Sequence, residues 1–439
     1  MVEGIHLVKN GVEGPTALPM GSFEGNRLTF FWRALKSDLA RKVFETLMTR
    51  VLMIVIGVIS SVIIARILGP EGRGLYAVAV SLGGLGVQFG NLGLHASNTY
   101  SVAQRPSSLP ILASNSLFVS FLFGGLGAGL LWVILSLWPH LVQIRGTLLI
   151  LALGWIPFGL AYLLLQSLLV GVQDIRSYNL IDLGNRILSL ALLGILLLLH
   201  SATVETVYVA GLITLFASLL WAIGRLRLRL SSFPSPSVSL FKENLRYGMK
   251  AYVAALFAFL VLRADLFIIQ YMIGAEQAGF YSIAVAVADL VYMLPVVVGT
   301  ILFPRLAGMT DGQERWRYAR IVVCWMAGIM VIVASLVAIL AGPLVTLLFG
   351  RSFAPAIPAL IWLMPGIVML SINTIYMNYF ASVGMPLITI YSPAVAVILN
   401  IVLNIRLIPP LGIVGASIAS VAAYGVMLLA SIAYMRIKA

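Results

Sequence analysis

Apolar residues along this chain gather in runs of roughly 18 to 25, the length that crosses ~30 Å of hydrocarbon at 1.5 Å per residue. Twelve such runs can be read, near residues 49–68, 75–98, 111–138, 147–171, 179–199, 204–224, 249–272, 279–303, 318–341, 355–382, 387–408 and 412–435. Their connections are short and carry Gly and Pro turn chemistry, as at Gly69-Pro70, Gly274, Gly384-Met385-Pro386 and Pro409-Pro410. A transmembrane barrel would show weakly alternating ten-residue segments instead. The pattern therefore predicts an all-α polytopic membrane protein. Composition agrees: 61% of the 439 residues are hydrophobic and only 10% charged, where soluble domains carry about 25% charged. Mean hydropathy is +1.05.

Charge adds orientation. With the N-terminus inside, Arg105, Arg176, the Arg225-Arg227-Arg229 cluster, Lys242, Arg246, Lys250 and the run from Arg305 to Arg320 all fall on inner loops. Outer loops hold only Arg73, Arg145, Arg351 and Arg406. This positive-inside bias predicts an inner (cell) membrane protein with both termini cytoplasmic. The net charge of +13 then faces anionic inner-leaflet lipid, and no nucleic-acid partner need be invoked. Residues 1–44 form a polar tail without a signal-peptide core, so the first span is expected to serve as a signal anchor. The single cysteine, Cys324, lies in the ninth span and reads as packing.

The chain also repeats itself. ILGPEGRGLYAVAVSL at 67–82 aligns with MIGAEQAGFYSIAVAV at 272–287, matching Gly69 with Gly274, Gly74 with Gly279 and Tyr76 with Tyr281. The copies lie six spans apart, so both start on the same membrane side. This predicts two parallel six-helix lobes around a central cleft, 45–224 and 248–439. The polar segment 225–247, with Ser231-Ser232-Phe233-Pro234-Ser235-Pro236, reads as the inter-lobe linker.

Four motifs carry a family resemblance: ARILGPEGRGLY at 65–76, LFPRLA at 302–307, LFGRSFAPAIPAL at 348–360 and NIVLNIRLIPPLGIVGASIAS at 400–420. In that order and topology the chain resembles polysaccharide flippases of the multidrug/oligosaccharidyl-lipid/polysaccharide exporter superfamily. The resemblance implies translocation of undecaprenyl-diphosphate-linked oligosaccharide repeat units to the outer leaflet by alternating access, for surface polysaccharide. It also implies glycan polymerase and glycosyltransferases as partners.

The residues themselves say where such a substrate would sit. An ionisable group at membrane depth costs ~2.5–3.5 kcal/mol on insertion scales and needs a partner or a cavity. Arg50 and Arg66 sit near the ends of the first span, where snorkelling suffices; Arg50 is also a candidate substrate contact. Asp182 and Arg186 are spaced i, i+4, the arrangement of a self-neutralised pair, with Arg186 the alternative anion contact. Arg263 and Asp265 point about 200° apart on the seventh span and cannot pair with each other. Each needs a partner from another helix or from substrate. Arg263 is thus the leading candidate for a diphosphate, which guanidinium can hold bidentately. For sugar, the second span offers a polar stripe of Gln88, Asn91, His95 and Asn98, and the tenth adds Asn373 and Tyr376. Interhelical hydrogen bonding is the competing reading of these, and the expected role of Asn400 and Asn404.

No phosphate loop followed by Lys occurs, and four His with one Cys offer no zinc spacing. Neither an enzyme nor a cofactor is expected. Coupling to H⁺ or Na⁺ would fall to Asp265 or Asp289. The rival classes are a cation-coupled multidrug exporter, which would favour an acidic cavity, and a non-transporting scaffold of a glycan assembly complex, which would need no polar stripe.

Overall fold

The computed structural model describes residues 38–230 and 235–438; the side chains of 38–47, Arg50 and Lys438 lie outside that description. The chain divides into two units, Met1–Arg50 and Val51–Ala439. Of the first, the described residues are helical; the second holds everything below.

Thirteen α-helices and no strand occur among the described residues. The first half comprises α1 (Asp38–Asn91), α2 (Leu94–Gln104), α3 (Leu109–Leu137), α4 (Gly146–Gly171), α5 (Ile175–Leu198) and α6 (Val204–Arg227). The second comprises α7 (Val238–Ile273), α8 (Ala275–Ala307), α9 (Gly312–Ile339), α10 (Ala341–Leu348), α11 (Ala356–Ser382), α12 (Ile388–Leu411) and α13 (Ile413–Lys438). Eleven of these are long and apolar enough to cross a membrane. The first, α1, carries two of the twelve expected spans, because it breaks at Gly69 (φ 65, ψ −178) ahead of Pro70. Arg73 Nη2 comes within 3.4 Å of Ser61 Oγ, 12 residues back, a separation of ~18 Å along an unbroken helix. The chain therefore turns back on itself here.

Gly274, between α7 and α8, adopts the same glycine-only conformation (φ 99, ψ 172). The repeat is thus structural as well as textual. Five residues on, each copy carries a glycine of a different kind. A Cβ on Gly74 would lie 1.8 Å from the Ala275 carbonyl oxygen, and one on Gly279 1.8 Å from that of Pro70. Pro70 and Ala275 are equivalent positions, so the two turns meet reciprocally about a pseudo-two-fold axis, backbone against backbone.

Packing otherwise stays mainly within halves: α3 on α4, and α4 and α5 on α6; α8 and α13 on α11, and α7 and α13 on α12. The main packing contact between halves is at the start of α7. Its Asn244 Nδ2 donates to Asn98 Oδ1 at 3.2 Å, Glu243 pairs with Arg105 at 3.5 Å, and Tyr247 stacks on Tyr100 at 4.3 Å. Gly248 and Gly93 also approach so closely that a Cβ on either would strike the other's carbonyl oxygen, at 2.3 and 2.5 Å. Much of the expected linker is helical, since α6 runs to Arg227 and α7 starts at Val238, capped by Ser237 Oγ.

Candidate functional site

Buried polar residues occur in both halves, and the two ionisable groups singled out on the seventh span lie in the second. As their angular separation requires, Arg263 and Asp265 face different surroundings. Asp265 is 2% exposed and accepts from Tyr281 OH on α8 at 2.7 Å, from Asn404 Nδ2 on α12 at 2.8 Å and from Ser420 Oγ on α13. Four helices thus converge on one carboxyl group. Asn404 thus has the interhelical role expected of it, through Asp265, whereas Asn400 Oδ1 accepts from Asn404 Nδ2 at 3.0 Å within the same helix. Arg263 takes its partner from the next helix: Nη2 lies 2.9 Å from Asp289 Oδ2, with side chains 32% and 40% exposed. The pair is open on one side, while Asp265 is sealed.

Tyr292, one turn after Asp289, begins a cavity of about 280 Å³ between α7, α8, α11 and α13. Asn373 lines it, with Oδ1 held by Ser431 Oγ at 2.7 Å. Tyr376 instead stacks among Trp316 and Phe380, with ring centroids 6.1 and 6.3 Å away, and is 9% exposed.

In the first half the residues are spread more widely. The stripe read on the second span is not continuous, because Leu92 (φ 49) and Gly93 (φ 79) end α1 and restart the helix as α2. Asn91 Oδ1 spends itself on the amide of His95, at 3.0 Å across this break. Asn98 is 2% exposed and bridges Ser116 Oγ at 2.9 Å to Asn244. Gln88 is half-buried and His95 exposed. Two of the stripe's four side chains are thus used structurally, Asn91 at the helix break and Asn98 in the close approach of α2 to α7. Arg186 and Asp182 form no ion pair among the described residues, although their spacing permits one. Arg186 Nη1 lies instead 3.1 Å from the place a Gly57 Cβ would occupy, and its buried Nε has no partner. The Arg50 side chain lies outside the described residues.

Several participants have partners that the sequence did not indicate. Arg66 Nε donates to the carbonyl of Leu348 at 2.7 Å, at the end of α10, tying the first span to the second half. Arg73 Nε reaches Ser282 Oγ at 3.2 Å beside the glycine contact. Ser420 and Tyr281 complete the Asp265 cage. Tyr281 occupies the repeat position of Tyr76, and that pairing was the available hint.

Comparison with known proteins fits this architecture. The sequence profile of a family described as "Polysaccharide biosynthesis protein" matches residues 63–358. The chain is 21% identical over 236 residues to the "Probable low-salt glycan biosynthesis flippase Agl15" of Haloferax volcanii, covering 53% of this chain and 49% of that protein. The chain thus spans about half the length of that curated relative. Two solved structures share the fold. An inward-facing multidrug resistance MATE family transporter of the MOP superfamily superposes with TM-score 0.70 at 17% identity, over 88% of this chain and 94% of that one. The lipid II flippase MurJ, in an inward closed conformation, gives 0.71 at 12% identity, over 90% and 87%.

Proposed function

The chain belongs to the polysaccharide biosynthesis protein family, and from that premise we propose that it is a flippase for undecaprenyl-diphosphate-linked oligosaccharide. In this reading it works in the cell membrane by alternating access, with both termini in the cytoplasm. It would act beside the glycosyltransferases and polymerase that make and consume the repeat unit.

The observation that carries the reading is the half-exposed Arg263–Asp289 pair deep in an apolar protein. Asp289 offers Arg263 one charge-assisted hydrogen bond, worth about 1.5–3 kcal/mol, whereas a diphosphate can offer the guanidinium two or more of the same kind. A diphosphate offering several oxygens can therefore displace Asp289 from Arg263. The released carboxylate becomes free to bind a proton or Na⁺. Asp265, caged two residues along the same helix, is the second candidate coupling group, reached only if α12 or α13 shifts.

A cation-binding exporter would favour an unpaired acidic site, whereas here the exposed carboxylate, Asp289, is matched by the Arg263 guanidinium. In a deletion strain, Arg263→Ala should abolish surface glycan at normal protein level, and Arg263→Lys should restore part of it, because charge persists without the planar fork. Normal surface glycan from Arg263→Ala would overturn the proposal.

A further inference from the structure

The cavity beside Tyr292 carries chemistry that an anion site alone does not use. It is lined mainly by apolar groups, including Ala258, Val261, Met377 and Ala381, with a few polar side chains among them. At about 280 Å³ it falls just below the usual range of ligand pockets, ~300–1,000 Å³. That is room for one small ring and not for a chain. Tyr292, which also lines it, lies one helical turn from Asp289 on α8, so the cavity opens one turn from the ion pair.

Its polar complement can be worked out bond by bond. Asn373 is 1% exposed; its Oδ1 accepts from Ser431, which orients the amide, and its Nδ2 has no partner among the described residues. Asn378 Nδ2 donates to the Thr374 carbonyl at 2.8 Å, so Asn378 Oδ1 is left as an acceptor. Gly299 gives this amide its space, since a Cβ there would lie 2.7 Å from Asn378 Nδ2. Thr374 Oγ1 donates to Leu370 O at 2.9 Å; its single hydrogen is spent, and Tyr292 OH must therefore donate to Thr374 Oγ1 at 2.8 Å. The cavity is left with amide N–H donors on Asn373 and Asn378, an amide acceptor on Asn378, the hydroxyl oxygen of Tyr292 and apolar walls. Polar atoms opening onto an otherwise apolar cavity fix the orientation and chemistry of what enters it.

We infer that this cavity receives the 2-acetamido group of the sugar joined to the diphosphate. The acetamido carbonyl accepts from Asn373 Nδ2, its N–H donates to Asn378 Oδ1, and its methyl meets Ala258 and Met377. A sugar with a bare 2-hydroxyl has neither the second polar atom nor the methyl. The inference rests on the diphosphate reading of Arg263, since that contact brings the sugar to the cavity.

The test compares three probes on the purified full chain in nanodiscs by native mass spectrometry: undecaprenyl diphosphate, its N-acetylglucosamine conjugate and its glucose conjugate. The wild type should bind the acetamido conjugate about tenfold more tightly than the glucose conjugate, the equivalent of one net hydrogen bond. Asn373→Leu, which removes the donor, and Ala381→Leu, which fills the space, should erase that ratio and still bind undecaprenyl diphosphate as the wild type does. Equal wild-type affinity for the two conjugates overturns the inference, as does a ratio that survives in both variants. Arg263→Ala separates the two ideas: unchanged binding of undecaprenyl diphosphate would sink the anion site, whereas the acetamido-to-glucose ratio judges the cavity alone.

Discussion

Replacing Gly74 with Ala places a methyl 1.8 Å from the Ala275 carbonyl oxygen. Carbon and oxygen approach to about 3.3 Å at closest in packed helices, so the start of α8 must withdraw by about 1.5 Å. Neither partner can yield by a rotamer change, because the obstructing atom is backbone. Overpacking of this kind costs about 1–3 kcal/mol. The cost falls only on conformations in which the two turns touch, so forms with this end parted gain about 5- to 150-fold in relative population. Ala278, 0% exposed and next to Gly279, reports the change. In a Cys324→Ser background, Ala278→Cys should react with an impermeant maleimide at least about fivefold faster when Gly74→Ala is added. Gly69→Ala is the control. Nothing lies within 4 Å of a Cβ there, so it strains the backbone in every conformation and should leave the labelling rate unchanged. Equal labelling of Ala278→Cys with and without Gly74→Ala, at equal protein level, would refute the view that these turns form a separable contact.

Three further outcomes follow from the polar network. Asp265→Ala should destabilise the protein by about 3 kcal/mol or more, since it leaves Tyr281, Asn404 and Ser420 without their acceptor at about 1–3 kcal/mol each; Asp265→Asn should be far milder, as read by thermal unfolding in detergent. Asp289→Asn should alter the H⁺ or Na⁺ dependence of transport while preserving expression; an unchanged ion dependence removes it as a coupling group. Asp174 caps α5 through the amide of Ser177 and meets Arg225 and Arg229 at 3.1 and 2.9 Å. Burial raises its carboxyl pKa, but the Ser177 hydrogen bonds and the two arginines outweigh this and hold it below 3.8. Its contribution is therefore full above that ordinary value and is lost as pH falls through the lower folded one. Asp174→Asn, which keeps the cap, should remove this acid-range loss of thermal stability, and an unaltered profile would exclude Asp174 as its source.

Much of this architecture was legible in the residues. Hydrophobic run lengths located the spans, and the Gly69/Gly274 alignment anticipated both turns because glycine alone tolerates that backbone. Angular spacing separated Arg263 from Asp265, since helical periodicity is a property of the sequence. What could not be read was the partner of each group. Asp289 comes from the next helix, but Asn404 and Ser420 come from helices remote in sequence, and nothing local distinguishes Ser420 from the other serines of α13. The stripe from Gln88 to Asn98 misled for a definite reason: its spacing assumed one helix, and the left-handed pair at Leu92 and Gly93 divides it. Asp182 and Arg186 likewise have the right interval, but Gly57 opens space for the guanidinium elsewhere.

The central claim is that Arg263 carries a lipid-linked diphosphate across the membrane, and transport in a defined system tests it most directly. Proteoliposomes holding wild type or Arg263→Ala would be loaded with a fluorescent undecaprenyl-diphosphate sugar, and its arrival in the opposite leaflet followed by quenching. Wild type should flip the lipid, Arg263→Ala should fall to the rate of empty liposomes, and Arg263→Lys should lie between. Flipping by Arg263→Ala at the wild-type rate would contradict the account.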